Sequence, residues 1–181
     1  MLQKEFNYIA QNAFQANEDR SRVTSFYFVT VGTFVAAILG TQFEPENTTV
    51  SFAFFILFTV LTIMGALTLA QLARLRAAWH EAAEAMNQIK EYYIEHLPEI
   101  APAIKWRTND IPPTNKPYSI ANLIAVEVSL LSALTTGAGM YFLLLVIGNP
   151  NWLTWVLVAA SIVFGYIAQW AFYTRLLVDD R

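Results

Sequence analysis

The sequence predicts an all-α integral membrane protein with four transmembrane helices, the second of which continues into a long cytoplasmic helix. Three observations carry this prediction. Four apolar runs, at residues 23–40, 50–70, 123–147 and 152–173, each come near the ~20 residues that cross a ~30 Å hydrocarbon core, the first at the short end. The chain of 181 residues is 56% hydrophobic and only 14% charged, with a mean hydropathy of +0.41, which lies outside the soluble range. Finally, no glycine or proline occurs between residues 66 and 96, where Ala, Leu, Glu, Gln and Met dominate, so the second span and the polar stretch after it read as one helix.

Residues 1–22 are polar, with Leu2, Phe6, Ile9 and Ala13 at helical spacing. They predict a short amphipathic cytoplasmic helix that lies on the membrane surface or packs on the seam of the long helix. The segment lacks the apolar core and small-residue cleavage site of a signal peptide and reads as mature protein. Residues 23–70 form the first transmembrane hairpin. Its loop contains Asn47-Thr48-Thr49, which matches a glycosylation acceptor, a pattern common by chance.

Residues 71–97 make the cytoplasmic helix. Leu72, Leu75, Trp79, Ala82, Met86, Ile89 and Tyr93 alternate at spacings of three and four, which gathers them into one seam. Such a seam packs either on another helix of the same chain or across an oligomer interface. Leu72, Leu75, Trp79, Met86, Ile89 and Tyr93 are the interface candidates, and three heptads alone do not choose between the two.

Five prolines fall within residues 98–117, which exclude an α-helix and predict a stiff, extended connector over 98–118. Trp106, between Lys105 and Arg107, suggests that the connector touches lipid headgroups or the long helix. Ser119 is a candidate N-cap for a helix starting at about Ile120, and residues 119–174 form the second transmembrane hairpin, followed by a tail at 175–181.

Basic residues set the orientation. Lys4, Arg20 and Arg22 precede the first span, six lie between the second and third, Arg175 and Arg181 follow the fourth, and the two short hairpin loops carry none. The positive-inside rule then places both termini and the long middle segment in the cytoplasm of a multi-pass protein of the cytoplasmic membrane. Tyr27, Trp152, Trp155, Trp170 and Tyr173 lie near span ends, where interfacial aromatics gather.

Glu127 is the one acidic residue near an apolar span, and an ionisable group inside a membrane is a functional candidate by default. Counting back ~20 residues from Ile147 puts it at the cytoplasmic edge of the hydrocarbon. There it predicts either a structural carboxylate bonded to Asn122, Gln71, Gln169 or Arg74, or a proton or cation site. Glu127, Gln71 and Gln169 together form the candidate intramembrane polar site. Small residues recur every four positions at Gly32, Ala36 and Gly40, at Ala125, Ser129, Ala133 and Gly137, and at Ser161 and Gly165, which lets helices approach closely. Thr30, Thr33, Thr59, Thr62, Thr135 and Thr136 can bond backbone carbonyls and need not line a water path.

His80 with Glu84 supplies two potential metal ligands, and two do not make a site. The chain has no cysteine, which excludes disulfides and thiolate chemistry. It carries no phosphate-binding glycine loop, nucleotide fingerprint or Ser-His-Asp set, so an enzyme, a cofactor or a resident metal is not expected. A net charge of −3 with dispersed basic residues does not point to nucleic acid.

At LRAAW (75–79), MNQIKEYYIEH (86–96) and PYSIAN (117–122) the chain resembles a group of uncharacterised small bacterial membrane proteins with four spans. More loosely, it is similar to the RipA-type family, associated with octameric assemblies in the cytoplasmic membrane. The resemblance implies a homo-oligomer and brings no catalytic motif. The expected function is that of an oligomeric membrane scaffold. The alternatives are a small channel or transporter with Glu127 near its inner mouth, and an accessory subunit of a larger membrane complex.

Overall fold

The computed structural model describes residues 2–40, 47–148 and 150–179. They form four α-helices: α1 (Leu2–Gly40), α2 (Thr48–His96), α3 (Ile120–Ile147) and α4 (Trp152–Asp179). All four are long and apolar enough to cross a membrane, which marks the chain as a multi-pass membrane protein.

Helix α2 is the hub: it packs against α1, α3 and α4, and α3 also packs on α4. Its 49 residues run unbroken, a rod of roughly 74 Å. Asn47 caps its start, the side-chain oxygen accepting from the backbone N–H of Thr49 at 3.1 Å and Val50 at 3.2 Å. The asparagine of the glycosylation-like triplet thus has a local structural role. At the far end Leu97 N–H donates to Tyr93 O at 2.9 Å, and Pro98 ends the helix.

Helix α3 begins at Ile120 as its sequence predicts, with the Ser119 hydroxyl accepting from Asn122 N–H at 3.3 Å. Before it, Tyr118 takes φ = 57°, a left-handed conformation that costs a non-glycine residue about 1 kcal/mol. Asn151 and Thr154 cap α4 reciprocally, each backbone N–H donating to the other's side-chain oxygen at 3.1 Å.

Two expectations change. The N-terminal segment is no separate surface helix: α1 runs without a break from Leu2 through the first span, because no glycine or proline interrupts residues 2–31. Ala13 and Ala16 are buried along it, and its principal neighbour is α2. The connector is not extended throughout either. Prolines suit the first turn of a tight helix, and residues Pro98–Ala103 and Thr108–Asp110 form 3₁₀ turns.

The connector returns along α2. Arg107 pairs with Glu91 at 3.3 Å, and further on the buried Arg76 donates through Nε to Thr114 O at 3.1 Å and through Nη2 to Pro113 O at 3.5 Å. The Arg76 guanidinium also stands 5.7 Å from the centre of the Trp79 ring, within cation–π range. Trp106 and Pro112 of the connector face Trp79 and Met86 of α2 across a groove of about 400 Å³. Of the two settings considered for Trp106, this one is beside the long helix.

The core runs from Tyr27 and Leu61 through Leu69, Leu72, Ala73 and Val128 to Tyr173. Phe58 stacks on Phe142 at 5.6 Å, with Phe54 tilted against the same ring at 5.0 Å. Tyr27 and Tyr173 are therefore not interfacial aromatics: they are 0% and 2% exposed, because their helical positions turn them toward α2. Trp152 and Trp155 do stand exposed near the start of α4.

Candidate functional site

Polar side chains from all four helices meet at one depth of the apolar bundle. Glycine at position 65 opens the space, since a Cβ there would come within 2.6 Å of Ser132 Cβ and 2.7 Å of the Tyr27 hydroxyl. The Ser132 hydroxyl reaches across to the Thr62 carbonyl at 3.3 Å. Gln169 on α4 donates through Nε2 to Ser132 Oγ at 2.9 Å and to Thr62 O at 3.4 Å. From α1 the Tyr27 hydroxyl donates to Leu61 O over a long 3.5 Å. Beside this cluster, Thr62 Oγ1 lies 3.0 Å from Thr135 Oγ1 and 3.4 Å from Thr136 Oγ1.

The threonines also bond their own helices, as their sequence setting predicts. Thr62 donates to Phe58 O, and Thr135 and Thr136 both donate to Ser132 O, at 2.8–2.9 Å. Serine and threonine in apolar helices satisfy themselves one turn back in this way. Gln169 instead reaches across to other helices. It is 8% exposed, and its Oε1 has no hydrogen-bond donor among the described residues. A primary amide in an apolar layer whose N–H groups find acceptors on neighbouring helices holds those helices in register.

We expect Ser132→Ala, which removes the nearer of the two acceptors for Gln169 and the bond from Ser132 to the Thr62 carbonyl, to cost about 1 kcal/mol of bundle stability, the scale of interhelical hydrogen bonds in membranes. Reversible unfolding in mixed micelles measures it, and a loss below a few tenths would show that Gln169 finds another partner.

Small residues let these helices approach. Ala125, Ser129 and Ala133 of α3 are buried; a Cβ on Gly137 would strike Ile162 of α4, and one on Gly165 would lie 3.1 Å from Thr136 Oγ1. The α1 stripe differs: Ala36 is exposed, and Cβ atoms at Gly32 and Gly40 would meet nothing within 4 Å.

The intramembrane candidates Glu127, Gln71 and Gln169 do not come together. Gln169 belongs to the network above, whereas Glu127 and Gln71 are exposed on outward faces of α3 and α2. Neither bonds Asn122 or Arg74, and neither has a hydrogen bond or ion pair among the described residues. The cause is periodic: Ile120, Leu123, Glu127, Leu130 and Leu134 form one stripe, opposite the small residues that face α2 and α4. The seam of α2 is also divided. Leu72 lies in the core, Leu75 and Ile89 are half-buried, Trp79 and Met86 line the groove under the connector, and Tyr93 is 37% exposed.

Where α1 and α2 leave the apolar layer, Arg20 and Arg76 gather near Tyr173, and burial followed by the Arg76 charge lowers the Arg20 pKa. Among the described residues no three His, Asp or Glu side chains converge on one point, and His80 stands half-buried without a hydrogen bond among them.

Thr62, Ser132 and Tyr27 were not singled out as a site by sequence. The signal was present in Gln169, an amide inside an apolar run, whose need for partners on other helices identifies the layer. No protein family, curated protein or solved structure matches the chain.

Proposed function

We propose that the protein is a homo-oligomeric scaffold of the bacterial cytoplasmic membrane, with both termini, the outer half of α2 and the connector in the cytoplasm. Glu127 carries this reading. A carboxylate at the inner end of an apolar, outward stripe, with no hydrogen bond or ion pair among the described residues, is satisfied where a polar group of another polypeptide covers it. The open α1 stripe of Gly32, Ala36 and Gly40 agrees, because small residues let a second helix approach. Half-buried Leu75, Trp79, Met86 and Ile89, with Tyr93, extend the available surface along the outer half of α2.

A channel lined by threonine and serine has less support. Thr30, Thr59, Thr62 and Thr136 donate to carbonyls of their own helices, and Glu127 faces away from them.

Native mass measured on detergent-solubilised protein tests the proposal. One homogeneous multiple of 20.4 kDa is expected; a monomer would overturn it, and a stable complex with a different chain would favour the accessory-subunit alternative.

A further inference from the structure

We infer that the contact between copies is head-to-tail: the outward stripe of α3, centred on Glu127, seats in the groove between α1 and α2 of the next copy, where its carboxylate meets Gln71 and Arg74. This rests on the homo-oligomer proposed above and specifies its geometry.

Depth is the first argument. Gly65 and Ser132 face each other inside one chain and mark a common level. Glu127 lies five residues from Ser132 and Gln71 six from Gly65, both toward the connector, so they sit about 7 and 9 Å from that level. Arg74 is one turn further, within reach of a long side chain. Copies inserted in the same orientation are related by an axis along the membrane normal, which leaves depth unchanged.

Direction is the second. At roughly 100° per residue, Glu127 and Gln71 point some 140° and 120° away from the Gly65–Ser132 contact, and both are exposed. They do not meet within a chain, and a neighbouring copy brings them together.

Shape and charge complete the match. The groove has a volume of about 420 Å³, with Phe26, Met64 and Leu67 as apolar walls and Gln71 and Arg22 at its polar end. Arg74 is exposed beyond Gln71 and has no ion pair among the described residues. The α3 stripe is complementary: Leu130 and Leu134 are apolar knobs, with a single carboxylate at the level of the donors. The stripe and this groove are different surfaces of the chain, so the contact is heterologous and repeats from copy to copy until it closes. Arg22 at the groove's own end pairs with Asp19 at 3.4 Å, and Arg175 on α4 is a competing exposed cation near this level.

The chain has no cysteine, so disulfide trapping needs no background substitution. Glu127→Cys and Gln71→Cys, introduced singly and together at exposed positions, are oxidised in native membranes. The double variant is expected to give a ladder of dimers, trimers and higher multimers, with most of the chain above monomer, while either single variant stays monomeric on a denaturing gel. Dimers from Glu127→Cys alone would show a two-fold contact and overturn the inference, as would trapping of Glu127→Cys with Arg175→Cys in place of Gln71→Cys. Absence of cross-links in protein that keeps an oligomeric native mass would overturn the geometry and leave the oligomer standing. A monomeric native mass would remove both.

Discussion

Gly65→Ala is expected to destabilise the bundle by about 2 kcal/mol, and Gly65→Val by about 3 kcal/mol, near the upper end of overpacking costs. The sign is informative, because alanine favours a helix over glycine by about 1 kcal/mol and in an open position would stabilise. At residue 65 the added Cβ meets Ser132 Cβ at 2.6 Å and the Tyr27 hydroxyl at 2.7 Å. Neither can yield: Ser132 is fixed on a buried helix face, and Tyr27 is enclosed. Moving α3 back far enough also breaks the bond from Ser132 to the Thr62 carbonyl. Gly32→Ala is the control for packing within the chain, since a Cβ there meets nothing of the same chain within 4 Å, and in monomer dissociated by detergent it should leave the unfolding midpoint unchanged or raise it. Equal damage from both substitutions would refute the packing argument.

Arg76→Ala is expected to free the connector. The guanidinium is buried, supplies two hydrogen bonds to connector carbonyls and lies over the Trp79 ring. Bonds from a charged donor are worth about 1.5–3 kcal/mol each where one partner is left unsatisfied. Loss of the anchor should therefore favour local opening by about 2 kcal/mol. Cleavage that follows the opening equilibrium then accelerates roughly 30-fold. Trypsin reports this directly, because Lys105 and Arg107 lie in the connector with no proline after them. The four-helix bundle should keep its far-ultraviolet spectrum, since α2 retains a strong helix former at that position. An unchanged cleavage rate would mean that Arg107–Glu91 and the groove contacts hold the connector without Arg76.

The architecture was legible where a segment's own composition decides its state. Apolar runs gave the four long helices, the absence of glycine and proline gave the length of α2, and Ser119 gave the start of α3. What one helix does to another was less legible. Tyr27 near the end of an apolar run suits an interface as well as a core, and only its register against Gly65 decides. Gln169 and Glu127 are both polar residues in apolar runs and looked like partners. A helical wheel for α3 separates them, because Ala125, Ser129 and Ser132 take the inward face and leave position 127 outside. The connector's prolines excluded an α-helix but did not reveal the 3₁₀ turns, which proline tolerates, or the return path, which Arg76 fixes from another element.

The unbroken course of α2 has a mechanical consequence. From Gly65 to His96 the rod extends roughly 46 Å, and α1 lies along it as a brace. With the polar layer around Gly65 as fulcrum, a tilt of about 5° carries the His96 end about 4 Å while residues beside the fulcrum move by tenths of an ångström. The same arm works in reverse. A sideways push on the outer end of α2 arrives at the Gly65 layer as torque on Ser132 and Gln169, with no hinge between to absorb it.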